Sequence, residues 1–489
     1  MPDRPHIVIF VPDQWRADVM GHHGNPGAVT PHLDRAVATD HVSFSSAFCQ
    51  NPVCTPSRCS FMSGWYPHVR GHRTMFHMMK PDEPVLLRTL KQEGYYVWWG
   101  GKNDLIPGQA SMADYCDVYY RPSAPPGPLW PDGATYRGEP GGDAYYSFYV
   151  GELDMQGGVE HRNDPEWAWI QGAIDLIHSP PTDQPLCIYL PLVFPHPPYG
   201  VEEPYFSAID RDGLPPRAMP PESWEDMPAI VGAIHERQGL GDWAEERWTE
   251  LRAVYYAMCT RMDHMYGLVC EALREAGMYD DTALFFFADH GDFTGDYGLV
   301  EKTQNTFQDC LVNVPLLVKP PRDVPIQPRV SDALVELIDV PATIEDLLGI
   351  EPAHTHFGRS LLPVIAGEEE DHRDAVFCEG GRLPGELQAM ELESVSSQTA
   401  DGAYWPRLSI QRADGPEHGK GTMCRTSRFK YVRRLLERDE LYDLRSDPWE
   451  RENRIDDPAL SDVAGGLRDR MLTFYQETCD VVPVVPDDR

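Results

Sequence analysis

The run Cys54-Thr55-Pro56-Ser57-Arg58 carries residue types that do chemistry at short range. Thr55 reads as a helix cap and Pro56 as a first helical residue, where a missing N–H costs nothing. This places Cys54 just outside a helix N-terminus. Unpaired backbone N–H groups, the positive end of the helix dipole and the Arg58 guanidinium would then stabilise an anion at position 54. The chemistry implied is nucleophilic attack or anion binding. The competing reading is a buried structural thiol beside a surface arginine, because free Cys is among the most buried residue types.

Further polar groups stand at the ends of strand-like runs. His6 to Val11 (HIVIFV) ends at Pro12 and delivers Asp13 and Gln14, and Tyr95 to Trp99 (YYVWW) delivers Lys102 and Asp104. Leu186 to Leu192 (LCIYLPL) delivers His196, and Thr282 to Ala288 (TALFFFA) delivers Asp289 and His290, with Lys302 in GLVEK just beyond. Such near-continuous apolar runs are buried strands of a parallel sheet. Open α/β sheets gather their ligands at the carboxyl ends of their strands. Each group taken alone is a cap or a satisfied surface residue; together with Cys54 they predict one site.

The elements between these strands read as helices and loops. PHLDRAVATD, VLLRTLKQE closed by Gly94, Trp167 to His178 and Leu467 to Thr478 are predicted helices, the stretch from Glu250 to Ala276 is predicted as helices, and Ser331 to Gly349 as a capped helical pair. Val42 to Ala47 is the strand that leads to Cys54, and Val314 to Val318 resumes the sheet. Arg121 to Gly142 is rich in Pro and Gly and is expected to form a long surface excursion near the mouth of the site. Its aromatics and those after it (Trp130, Tyr136, Tyr145, Tyr146, Trp167) are expected to pack rather than face a ligand. The acidic run Gly367 to Asp371 marks a boundary between residues 1–370 and 371–489, beyond which short alternating strands appear at Phe429 to Arg433 and Glu440 to Leu444. The fold class expected is α/β: a large mixed, mainly parallel sheet flanked by helices, with a smaller C-terminal α+β domain.

The chain has 489 residues and 42% hydrophobic side chains, enough for a large core. A net charge of −35 argues against a nucleic-acid or anionic-membrane partner, so an anionic substrate would need local cations and a metal. The apolar run before Pro12 is too short for a signal-peptide core or a membrane span. With 11 scattered cysteines and no metal-type spacing, a reducing, cytoplasmic compartment is expected. The sequence leaves the oligomeric state and the natural substrate open.

C-T-P-S-R resembles the signature of the type I sulfatases, members of the alkaline phosphatase-like superfamily. In that family the Cys is oxidised to formylglycine by a maturase, and the hydrated aldehyde is the nucleophile. A K-Y strand, an L-Y-D-L strand and a D-P-x-E turn (Asp447 to Glu450) extend the likeness to about residue 453. The resemblance implies a sulfuric ester hydrolase acting on a small sulfated sugar or aryl sulfate. By position it implies that Asp13, Gln14, Asp289, His290 and residue 54 hold one divalent cation. Such an oxygen-rich set suits Ca²⁺, with Mn²⁺ or Mg²⁺ left open by the single imidazole. It further implies in-line attack on sulfur, with Arg58 holding the nucleophile, Lys102, His196 and Lys302 binding the sulfate, and His196 or Lys302 protonating the leaving group.

Two positions depart from the family pattern. Gln14 stands where most sulfatases have a second Asp, which is similar to the phosphonate monoester hydrolases. Asp104 stands where a His usually serves as base for the elimination step, and the carboxylate is expected to take that role. The alternatives are therefore a phosphonate monoester or phosphodiester hydrolase, and a non-catalytic binder of sulfated ligands with Cys54 left as a thiol.

Overall fold

The computed structural model describes residues 4–132, 136–155, 160–181, 183–391 and 399–484. Nine strands form the main sheet: β1 (His6–Asp13), β2 (Val42–Phe48), β3 (Tyr96–Trp99), β4 (Val118–Tyr119), β6 (Leu186–Pro195), β8 (Thr282–Phe287), β9 (Asn313–Lys319), β10 (Arg329–Ser331) and β11 (Val335–Glu336), while β5 (Tyr149–Leu153) and β7 (Tyr199–Glu202) pair in a separate parallel ribbon. The order in the main sheet is β10-β2-β9-β8-β1-β6-β3-β4, with β11 also paired to β2. Every pairing among them is parallel except those of β9, which runs against both β2 and β8. The sheet is mixed and mainly parallel, as the apolar runs predict. β1 lies at its centre with all eight residues buried, so the carboxyl ends of β1, β2, β3, β6 and β8 meet along one edge.

The principal helices are α1 (Pro31–Thr39), α2 (Cys54–Ser63), α3 (Leu86–Gln92), α4 (Pro165–His178), α5 (Glu245–Glu275), α6 (Asp339–Leu348) and α7 (Ser461–Thr478). The stretch expected as several helices is the single 31-residue α5, of which Ala253 to Arg261 is buried without a break. A helix buried all round needs no amphipathic stripe. Ser331 to Gly349 is not a helical pair. Its first half forms the end of β10 and all of β11, because those residues extend the sheet beyond β2, and only Asp339–Leu348 is helical.

A second, antiparallel sheet runs β12 (Val376–Gly380), β13 (Gly421–Arg425), β14 (Phe429–Arg434) and β15 (Glu440–Asp443), and α7 packs on it through Phe474, stacked 3.9 Å from Phe377. The expected boundary at 370 falls ahead of β12. The two sheets are tied together by buried charge: Lys430 Nζ donates to the Phe307 carbonyl at 2.6 Å and Arg434 donates to that of Asn305 at 2.6 Å. Part of the Pro- and Gly-rich excursion, residues 133–135, lies outside the described residues. In its described part Trp130 packs 5.4 Å from Phe194 at the end of β6. Trp167 stacks on His161 at 3.9 Å and donates to Glu202, so it packs as expected.

One buried ion cluster holds the end of β6 in place. Arg261 of α5, fully buried, pairs with Asp164, with Glu166 at 2.9 Å and with Glu202 at 2.8 Å. The other oxygen of Glu166 accepts the Val193 and Phe194 amides, three and two residues before His196. Removing one partner strands the rest as uncompensated buried charge, which costs about 3–5 kcal/mol. Arg261→Met should therefore lower the melting temperature by several degrees or abolish soluble expression, as read by differential scanning fluorimetry; an unchanged melt would show that the cluster does not brace β6.

Candidate active site

The strand ends converge as the edge rule requires. Register pairs Asp13 with Pro195, which sets the end of β1 beside His196. Gly101, at φ 152°, lets the loop after β3 press onto β6: a Cβ there would fall 2.1 Å from the Pro191 carbonyl oxygen, and the Lys102 amide donates to that same carbonyl. Gln14 holds a left-handed φ of 73°, unusual for a side chain of its size, and its amide donates to Asp289 Oδ1 at 3.1 Å.

At the centre, Cys54 Sγ lies 3.2 Å from His290 Nε2 and 3.6 Å from Asp13 Oδ1. Arg58 spans the two acids, donating from Nε to Asp289 Oδ2 at 3.0 Å and from an Nη to Asp13 Oδ2 at 3.0 Å. Lys102 Nζ donates to the same Asp13 oxygen and lies 2.7 Å from Asp104 Oδ2. Burial would push the Asp13 carboxyl up, but the Lys102 ammonium and the Arg58 guanidinium hold it well below the usual carboxylate range. Lys302 Nζ donates to Gln14 Oε1 at 2.7 Å, to His196 Nε2 at 2.9 Å and to Glu301 Oε1 at 2.8 Å. All ten expected site residues are thus linked through one contact network.

The helix at Cys54 differs from expectation. α2 begins at Cys54 itself, with Val53 as its cap residue and no side-chain cap; the Thr55 hydroxyl is buried without a hydrogen-bond partner. Arg58 is spent on the two acids. Burial first, and the Asp13 charge second, push the Cys54 thiol up from its ordinary value, so the unmodified thiol stays protonated. The anion stabilisation expected from the helix end is therefore outweighed.

Asp13, Cys54, Asp289 and His290 offer ligand atoms that all lie within 4.8 Å of one another, each residue buried. His290 Nδ1 donates to the Gly291 carbonyl at 3.0 Å, which leaves Nε2 with a free lone pair aimed at the cluster. Hard carboxylate oxygens with one imidazole nitrogen fit a divalent cation. Gly291 keeps this segment close to the chain opposite, since a Cβ there would meet the Cys310 carbonyl oxygen at 2.0 Å.

The structure adds residues that sequence reasoning did not assign. Asp292, buried, accepts from Gln14 Nε2 at 2.6 Å, from Tyr199 and from Thr294; burial and the nearby Glu301 push its carboxyl up to about 6. It stands two residues past His290 in D-H-G-D, where a carboxylate was visible but its partner was not. Glu301 is held by Arg407, delivered from the C-terminal part with no local signal.

The sulfatase family model matches residues 5–350. The chain belongs to the sulfatase family. It is 25% identical over 388 residues to arylsulfatase K of Gallus gallus, covering 75% of this chain and 68% of that protein. It is 25% identical over 471 residues to choline-sulfatase of Rhizobium meliloti, covering 93% and 83%. In fold it is similar to phosphonate monoester hydrolase of Agrobacterium radiobacter, with a TM-score of 0.74, 21% identity and coverage of 99% and 100%. The chain is accordingly an enzyme of this family. Among the described residues no helix is long and apolar enough to cross a membrane.

The protonated, buried Cys54 thiol has a direct chemical readout. In chain made without a maturase, iodoacetamide at pH 8 should alkylate Cys54 at least about 100-fold more slowly than the exposed Cys479, because the thiolate is the reacting species. Peptide mass spectrometry over time reads the two rates; equal rates would show that Cys54 is an accessible, low-pKa thiol.

Proposed function

We propose that this sulfatase hydrolyses a sulfate monoester of a small sugar or aryl alcohol, with residue 54 as nucleophile after oxidation of Cys54 to formylglycine by a maturase. The observation that supports this most is the placement of residue 54 within 3.6 Å of both Asp13 and His290, at a cluster fit for a metal and flanked by two lysines. Asp13, Gln14, Asp289, His290 and residue 54 would hold one divalent cation, Ca²⁺ on the strength of its mostly oxygen donors. Bound there, the cation supplies charge neutralisation for sulfate oxygens, and the hydrated aldehyde supplies one hydroxyl to attack and a second to release sulfate.

The chain's own groups do the remainder. Arg58 fixes both acids, so neither carboxylate swings away from the nucleophile. Lys102 and Lys302 place two ammonium groups where sulfate oxygens carry charge. His196 donates its Nδ1 proton to the Pro197 carbonyl, and burial with the Lys302 charge holds its pKa well below the usual value. Its Nε2 therefore accepts from Lys302 and carries no proton of its own. Of the two acids considered for the leaving group, Lys302 Nζ is the one with a proton to place there. Asp104, paired with Lys102, serves as base for the elimination step. The 11 scattered cysteines, without paired spacing, fit a reducing, cytoplasmic location.

Gln14 favours one second reading, a phosphonate monoester or phosphodiester hydrolase on the same scaffold, since its neutral amide leaves the cluster one charge less negative than an aspartate would. With maturase co-expressed, intact-peptide mass spectrometry should show loss of sulfur at residue 54, and kcat/KM for an aryl sulfate should exceed that for an aryl phosphonate. A retained thiol would favour a binder of sulfated ligands, and a reversed ratio the phosphonate reading. Asp104→Asn should lower kcat by about 10²-fold or more with little change in KM; the opposite pattern would make Asp104 a binding group.

Asp292 tests the metal assignment separately. Asp292→Ala removes the acceptor that orients the Gln14 amide, and loss of such a supporting contact typically weakens metal affinity about 10- to 100-fold. Equilibrium dialysis against Ca²⁺ reads it, and unchanged affinity would remove Gln14 from the ligand set.

A further inference from the structure

A cavity of about 520 Å³ opens beside the loop that follows Gln14, and none of Asp13, Cys54, Lys102, His196, Asp289 or His290 lines it. Its volume lies in the range of small-molecule sites, about 300–1,000 Å³. Arg252, on α5, lines it. The residue is 8% exposed, yet among the described residues its guanidinium makes no hydrogen bond or ion pair. Its donors open onto the cavity rather than into the protein interior, although arginines so largely buried are ordinarily paired.

The carboxylates nearby do not fill those donors. Arg16 takes both oxygens of Asp18, at 2.8 and 2.7 Å, and lies 2.8 Å from Asp296 Oδ2, while Asp296 Oδ1 accepts the Ala218 amide. Deeper in the wall, Asp309 is held by Arg425 at 3.0 Å and by Lys430 at 2.6 Å. The lining sets Arg16 and Arg252 against Asp18, Asp296, Asp309 and Glu450, the last two already paired with Arg425 and Lys430, so a ligand would gain from the open guanidinium fork rather than from net attraction. The remaining lining carries His23, Asn25, Ser45 and Asn313 as well as a flat aromatic face. Tyr256 and Tyr297 line it, and Trp449 stands at the rim, 42% exposed, with its carbonyl accepting from the Tyr297 hydroxyl.

From this we infer that the cavity is a second binding site, for a small organic acid: a carboxylate gripped in bidentate fashion by Arg252, on a flat apolar body covered by Trp449 and Tyr297. The planar fork matches a carboxylate, and the aromatic face supplies burial where net charge gives no attraction. The site is separate from the sulfate-ester site, and its occupancy needs neither formylglycine nor a metal.

Benzoate is the probe, titrated calorimetrically into the full chain. Saturable binding at millimolar or lower concentration is expected, weakened at least about tenfold by Arg252→Gln and only partly by Arg252→Lys, which keeps the charge without the fork. Trp449→Ala, on the exposed rim, should weaken it severalfold and serves if the Arg252 variants do not fold. Lys102→Ala, in the sulfate-ester site, should leave benzoate binding intact. No saturable binding to the parent chain, binding indifferent to both Arg252 and Trp449, or loss in Lys102→Ala would overturn the inference. So would inorganic sulfate displacing benzoate at equal concentration, which would point to a bare anion rather than an organic acid.

Discussion

Two carboxylates, Asp13 and Asp289, sit fully buried on adjacent central strands, and one guanidinium stands between them. Like charges this close in a low-dielectric interior cannot both stay ionised without a cation. Arg58 bonds each acid at 3.0 Å and is itself 1% exposed, so its planar fork both neutralises and aims them. Because Arg58 lies one helical turn after Cys54, the same interaction docks the first turn of α2 against the ends of β1 and β8. Position 54, the acids and the sheet edge are therefore one mechanical unit.

The chemistry of that unit follows from what surrounds it. A thiol enclosed by burial and by Asp13 is held in its protonated, unreactive form. Lys102 and Lys302 then bring full positive charge to a protein whose overall charge is −35. Both ammonium groups are fixed in direction by the acids they pair with, Asp13 and Asp104 for Lys102 and Glu301 for Lys302.

Several local readings failed where long-range packing overrode propensity. Thr55 is a good capping residue, yet helix α2 starts at Cys54, because the docking of Arg58 and the Ser57 hydroxyl bond to the Asp289 carbonyl fix the first turn. Ser331 to Glu336 reads as helical, but Ser331 and Val335–Glu336 pair with the free flank of β2 as strand. Both errors sit where a partner hundreds of residues away decides the backbone.

What the chain order alone determined is the set of strands and the polar residues that end them: alternation of apolar runs with acids, lysines and histidines is a local pattern, and the edge rule turns it into a site. Which of those residues touch, and with what consequence, is a matter of tertiary structure. The shared grip of Arg58, the Asp292 contact that holds Gln14, the hydrogen bond that deprives His196 of a proton on Nε2, and the arrival of Arg407 behind Glu301 all depend on distances and angles between segments far apart in sequence. Hydrogen bonds and buried charge pairs are short-ranged and directional, so they are written in the folded coordinates and not in the order of residues.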